Sequence, residues 1–209
     1  MKNIFKDVLF FFLTLSYTQN ESRKLISLAA NLNYPVAVGN NFLSKGYSNS
    51  SSYDLTVQVN ITKHLFFGGF VRNSNEKLKN AELIGDFDNS SSQSFYGYIG
   101  YSNYLTNKKM YLEHFIGYGI KDITNTSLLS NYVIQGDNSY LVGSRFNYVL
   151  SPDFCLFGGL DFNYTTYTIN LSGPYKDFYS KSMQFTPSLG IKLSFGDVGL
   201  KKKPKQLLP

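Results

Sequence analysis

The chain of 209 residues has one cysteine, Cys155, no tryptophan and two histidines, His64 and His114. A single cysteine excludes a disulfide scaffold, and one thiol with two imidazoles is little material for a zinc site. Charge is scarce too, at 16% of residues, against 17% for Phe and Tyr together. Disordered chains show the reverse bias, so disorder is excluded. The formal charge of +6 is also less than it looks. Residues 201–205, KKKPK, supply four of the positive charges, and residues 19–195 hold 14 basic against 12 acidic residues. Nucleic-acid surfaces gather Lys and Arg on one folded face, and no such cluster is present, so no nucleic-acid partner is expected.

What the chain does have begins with a targeting signal. Residues 1–20 read MKNIFKDVLFFFLTLSYTQN, with Lys2 and Lys6 ahead of an apolar run at 8–15. That run falls short of the ~20 residues a spanning helix needs, but it suits a secretory signal. Ser16 and Thr18 place cleavage after Thr18, so residues 1–18 read as a signal peptide and export is expected.

Beyond it the hydrophobic period is two, the period of strands. In residues 183–195, MQFTPSLGIKLSF, Met183, Phe185, Leu189, Ile191, Leu193 and Phe195 share one face, while Gln184, Thr186, Ser188, Gly190, Lys192 and Ser194 share the other. Residues 26–34, 53–61, 112–120, 140–150 and 154–167 alternate in the same way. Residues 64–72 and 95–105 are strand-like, but both faces carry aromatics. That makes eight strands. Their connections alternate between short ones, at 62–63, 106–109 and 151–153, and long ones, near 38–52, 73–94, 121–139 and 170–180, which are rich in Asn, Ser, Gly and Asp.

In an up-and-down barrel this alternation puts every long loop at one end, the asymmetry of transmembrane barrels. A soluble lipocalin-like barrel is the structural rival. Size decides between them here. The polar face carries Gly, Ser, Asn and Thr, which suit a narrow interior, and the apolar face carries the bulky Phe, Leu, Ile and Tyr, which suit lipid. The expected fold is an all-β, eight-stranded antiparallel transmembrane barrel with short periplasmic turns and long extracellular loops. It spans residues 19–195, and a basic periplasmic tail follows at 196–209.

Gly190, Leu193 and Phe195 form G-x-x-Φ-x-Φ, resembling the C-terminal β-signal read by the outer-membrane assembly machinery. Signal peptide, eight strands and terminal signal together resemble the small OmpA/OmpX-type outer-membrane barrel family. Residues 31–47, NLNYPVAVGNNFLSKGY, are similar to the first strand and loop of outer-membrane-barrel-domain proteins, PorT-like ones included. The resemblance implies a monomeric barrel in the bacterial outer membrane, with lipid and the assembly machinery as partners. It implies no defined activity, because fold does not fix function.

Five charges fall on the polar face: Asp54, Glu113, Arg145, Asp161 and Lys192. Buried charges must be paired, so a salt-bridge network filling the lumen is expected. The alternative is a gate or ion path along the same side chains. Catalysis is not expected, since both histidines sit at the short-turn end and His114 faces the apolar side. Cys155 points inward as a small packing residue, and no cofactor or metal is implied. The long loops carry the functional expectation, because binding residues gather on loops held by a rigid scaffold. That expectation is a structural or surface-interaction role with a possible extracellular or periplasmic protein partner. A narrow pore, an accessory role in a secretion or assembly complex, and a lipid-modifying enzyme are the alternatives.

Overall fold

The structure is a computed structural model that describes residues 24–48, 51–105, 109–127, 131–169, 173 and 175–196. The signal peptide and the Lys-rich tail expected from the sequence lie outside the described residues, Gly196 excepted. Eight strands close into the barrel: β1 (Ile26–Asn33), β4 (Ser52–Asn60), β5 (Leu65–Leu78), β6 (Asn89–Tyr104), β7 (Met110–Thr126), β9 (Gly136–Ser151), β10 (Phe154–Tyr167) and β11 (Lys181–Phe195). Each pairs antiparallel with the next, and β1 pairs with β11 from Ile26↔Phe195 to Asn33↔Ser188. Closure leaves no strand edge unpaired, the condition for a sheet to sit in hydrocarbon. Among the described residues no helix is long and apolar enough to cross a membrane, so any crossing is by strands.

Three short strands decorate the long-loop end. These are β2 (Val36–Val38), which pairs with β11, β3 (Tyr47–Ser48), which pairs with β5, and β8 (Asn131–Ile134), which pairs with β7. β2 continues β1 after a break at Tyr34 and Pro35. There the Tyr34 N–H donates to the Pro187 carbonyl at 3.0 Å, and Pro187, having no N–H, returns nothing.

The strands outrun the sequence pattern. Residues 73–94 and 121–139 read as loops, yet β5 runs to Leu78, β6 starts at Asn89, β7 runs to Thr126 and β9 starts at Gly136. The extensions read QS, NS and SS rather than apolar-polar, and they are held by cross-strand pairing such as Asn75↔Ser91 and Ser91↔Thr124. Three short helices occupy what remains of the loops: α1 (Phe42–Gly46), α2 (Ala81–Ile84) and α3 (Lys176–Tyr179).

The two faces separate as a membrane barrel requires. Leu55, Val57, Ile99, Ile116, Val142, Leu160 and Leu189 are all exposed on the outside. Asp54, Thr56, Gln58, Ser102, Asn147, Thr165 and Thr186 are buried in the lumen. A soluble barrel would reverse this arrangement.

Large rings share the interior with the small Gly, Ser, Asn and Thr of the polar faces. Phe66, Phe70, Tyr96, Tyr98 and Phe115 form a buried cluster with Leu141 inside the barrel. They fit because inward-facing glycines on neighbouring strands leave room for their rings. A Cβ on Gly100 would stand 2.2 Å from the Phe66 ring, one on Gly143 2.3 Å from Phe115, and one on Gly190 2.6 Å from Phe157. Each ring lies over a glycine, and the lumen is packed rather than open.

Candidate functional site

Two structures inside this frame carry its chemistry: a charged lumen and an apolar cap over one end. The lumen network centres on Arg72, projected inward from β5. Its Nε and Nη2 donate to the two Asp54 oxygens at 2.8 Å each, and Nη1 and Nη2 donate to Asp161 at 3.2 and 2.9 Å. Nη1 also reaches Thr186 Oγ1 at 3.2 Å. One guanidinium thus serves two carboxylates with the forked geometry that suits arginine. Asn31 Nδ2 donates to Asp54 at 3.1 Å, Asn33 Nδ2 to the same carboxylate at 2.5 Å, and Asn163 Nδ2 to Asp161 at 2.8 Å.

A second group lies nearer the short turns. Glu113 accepts from Lys192 Nζ at 2.6 Å, from Gln58 Nε2 at 3.0 Å and from Asn147 Nδ2 at 3.3 Å. Arg145 stands opposite Glu113 in the β7–β9 register, but its guanidinium lies over aromatic rings, 4.8 Å from the centre of Phe115 and 5.4 Å from Phe157. Thus Asp54 and Asp161 meet at Arg72, Glu113 meets Lys192 across the lumen, and Arg145 is held by rings rather than by its strand neighbours' carboxylates. Near the long-loop end Lys121 Nζ donates to Gln184 Oε1 at 2.6 Å, and Glu76 accepts from Ser92 Oγ at 2.9 Å. Four acids (Asp54, Glu76, Glu113, Asp161) and four bases (Arg72, Lys121, Arg145, Lys192) are buried, so among the described residues the lumen is charge-balanced.

Arg72, Glu76 and Lys121 are the residues that the sequence reading missed. Arg72 closes a stretch with Phe on both faces, and the other two lie in stretches that read as loop. The available signal was the surplus of buried acid: Asp54, Glu113 and Asp161 against Arg145 and Lys192 left one carboxylate without a cation.

The cap is built mainly by the first, second and fourth long loops, with Ile123 and Ile134 from the third. Asn41 starts α1 with a capping box, accepting from the Ser44 N–H at 3.0 Å while Ser44 Oγ accepts from the Asn41 N–H. Phe42 and Leu43 then turn down into the barrel mouth. There they meet Tyr47, Ile123 and Tyr167 in a cluster shut off from water, flanked by Ile84, Ile134, Ile169, Phe178 and Tyr179. The Phe42 ring packs edge-on to Tyr167, 5.0 Å between centres. Gly46 lets Ile84 pack directly on α1, since a Cβ there would stand 2.2 Å from the Ile84 side chain as placed. The Lys79 N–H donates to the Gly46 carbonyl at 2.8 Å, and Tyr179 Oη donates to the Leu83 carbonyl at 2.9 Å. These bonds tie the three loops together. Tyr47 Oη donates to Asn125 Oδ1 at 2.9 Å, and burial pushes the Tyr47 hydroxyl up to about 12, a rise that this hydrogen bond opposes and nearby Glu76 adds to.

The remaining candidates fall elsewhere. Cys155 is buried and accepts from Tyr111 Oη at 3.8 Å. His64 stacks on Tyr101 at 5.3 Å beside the first short turn. His114 faces outward, Nδ1 2.8 Å from Ser144 Oγ. On β11, Gly190 faces the lumen, while Leu193 and Phe195 are exposed on the outer wall. Among the described residues no group of three or more His, Cys, Asp or Glu side chains could hold a metal ion.

No protein-family model matches the sequence, and no curated protein does. Solved structures do match. Neisserial surface protein A is similar at 14% identity and a TM-score of 0.61, over 81% of this chain and 97% of that one. The attachment invasion locus protein Ail of Yersinia pestis is similar at 11% and 0.53, over 83% and 99%. A major outer membrane protein of Thermus thermophilus is similar at 11% and 0.52, over 81% and 99%. The chain has the fold of a small integral outer-membrane β-barrel.

Proposed function

We propose that this chain is a closed, non-conducting barrel of the bacterial outer membrane that acts through its cap of interlocked loops at the cell surface, in a structural or adhesive role. The observation that carries this reading is the double closure of the lumen. Eight buried charges, four acidic and four basic, and a layer of aromatic rings fill its length, and Phe42 and Leu43 seal its mouth. A solute path would need both layers to move. The cap is a rigid platform rather than a set of loose loops, and rigid presentation is what a binding surface needs. Two neighbours in fold support the adhesive side: one is by name a surface protein and another an attachment invasion locus protein.

Two experiments test the reading. Planar-bilayer recording of the purified barrel is expected to give no discrete conductance steps, and regular single-channel steps would overturn the closed-lumen reading. Cells expressing the chain in a strain without other adhesins are expected to adhere to host-cell or matrix-coated surfaces. Replacing residues 79–88 with an Asn-Gly turn should abolish that adherence while the folded barrel persists. Adherence that survives the replacement, or is absent from the start, removes the adhesive role and leaves the structural one.

A further inference from the structure

The lipid-facing wall has a notch in it. Gly69 of β5 and Gly97 of β6 stand directly opposite each other. Both point outward, and a Cβ added to Gly97 would meet no atom within 4 Å. Leu55, Val71, Phe95, Tyr118 and Ile120 wall an open groove of about 720 Å³ around this notch. It shares Gly97 and Tyr118 with a second groove of about 660 Å³ walled by Ile99, Ile116 and Val142. Those three residues also line a third groove, which ends on His114 and Ser144. The three join into one apolar trough across β5, β6, β7 and β9. From Ile120 to His114 it follows six residues of β7, about 20 Å of strand at ~3.4 Å per residue. With strands tilted ~45° that is about 14 Å of depth, roughly one leaflet of a ~30 Å hydrocarbon core.

The trough is apolar along its length and polar at its lower end. His114 is exposed on the outer wall four residues from the start of β7, toward the short turns. A polar ring facing hydrocarbon is costly unless each nitrogen finds a partner. Ser144 supplies one, at Nδ1. If the Ser144 hydroxyl donates there, Nε2 carries the proton and aims a donor out of the protein, and among the described residues no group accepts it.

We propose that this trough binds one glycerophospholipid of the short-turn leaflet. An acyl chain lies along the Gly69–Gly97 notch, and an ester or phosphate oxygen accepts the His114 Nε2 hydrogen. The site is continuous with the wall that lipid already covers, it matches one leaflet in depth, and the His114 donor lies at its short-turn end. The proposal rests on the outer wall facing lipid, and the heat-shifted mobility of the folded barrel on SDS gels checks that premise separately.

The test is native mass spectrometry of the full folded barrel, released from micelles after titration with palmitoyl-oleoyl phosphatidylglycerol. Wild type is expected to keep one phospholipid at collision energies that strip the rest. Gly97→Leu should lower that retained fraction about tenfold. His114→Phe should abolish the preference for this phospholipid over the matching diacylglycerol. Gly158→Leu is the control, the same change on the outer wall of β10, where an added Cβ meets Leu189 at an ordinary 3.5 Å. It should leave retention unchanged. Equal retention in Gly97→Leu and Gly158→Leu overturns the site, as does a dimer that Gly97→Leu abolishes, which would make the trough an interface between copies. Should Gly97→Leu give no folded band, His114→Phe decides alone, and unchanged headgroup preference there rejects the proposal.

Discussion

Arg72 shows what a single residue does in this lumen. Its guanidinium holds Asp54 and Asp161 at 2.8–2.9 Å in a space closed to water. Removing the cation leaves two carboxylates facing each other with only amide donors, and breaking such a buried pair costs about 3–5 kcal/mol. Arg72→Met should therefore lower barrel stability by that amount in urea titrations in lipid vesicles. Adding Asp161→Asn should recover part of the loss, because one unpaired charge is then gone. Lys24→Ala makes the contrast: its partner Asp153 is 2.9 Å away but well exposed, and such pairs are worth at most about 1 kcal/mol. Equal costs for the two substitutions would mean that the lumen is wetter than its packing implies. Asp54, Glu113, Asp161 and Lys192 were legible because each sits on a strand that alternates with period two. Arg72 was not, since Phe66 and Phe70 point inward while Phe67 points out, and alternation carries no sign when the same residue type occupies both faces.

At the scale of elements, the cap is expected to open separately from the barrel. Phe42 is its keystone, in contact with Tyr47, Tyr167 and Tyr179. Phe42→Ala should cost about 3 kcal/mol or more of local stability, as large-to-small changes in packed clusters do. Amide exchange would detect this at Lys45 and Lys79, whose N–H groups bond to the Asn41 and Gly46 carbonyls. Barrel unfolding should barely move, because local opening is cheaper than global unfolding. A matching drop in both would make the cap part of the barrel's cooperative core.

Tyr47 adds a pH dependence to the same element. Its hydroxyl is raised from 10.0 to about 12 by burial, so the closed cap favours the neutral phenol. Stability is fully present below pH 10 and is lost as pH rises from 10 to 12, where an opened Tyr47 ionises and a buried one does not. The protection factor of the Lys45 amide, taken against the intrinsic rate at each pH, should fall over that window in wild type and much less in Tyr47→Phe. The cap was hidden from the sequence for a plain reason. A five-residue helix is too short to show a period, and Phe42-Leu43 in a loop carries no mark of the cluster that it will join. The strand extensions were hidden differently: stretches such as Ser90–Ser92 have no apolar alternation, and they are strands because their neighbours pair with them.

For the whole molecule the deciding quantity is which face meets which solvent. The sequence made eight strands, their alternation and the alternating loop lengths readable, and from these the closed barrel follows. Residue size on the two faces pointed to lipid, although the aromatic rings inside show that size was a looser guide than the polarity of each face. The sharpest check uses depth. Val57 is exposed in the middle of the outer wall, flanked on its strand by Leu55 and Val59 and across strands by Leu28 and Gly69. It touches nothing in the lumen, so Val57→Arg changes only what surrounds the barrel. In water an exposed substitution of this kind stays within about 0.5 kcal/mol. At the bilayer midplane an arginine costs about 2–4 kcal/mol, falling to about 0–1 kcal/mol near the interface. Ser91 also faces outward, but on the β6 extension beyond the apolar belt, between Asn75 and Thr124. In vesicles Val57→Arg should therefore lose about 2–4 kcal/mol, and Ser91→Arg less than about 1 kcal/mol. Equal, small losses would mean that water bathes the whole wall. A steep difference confined to the belt is what a lipid solvent imposes, because the protein around the two residues is the same closed sheet and only the medium outside it changes.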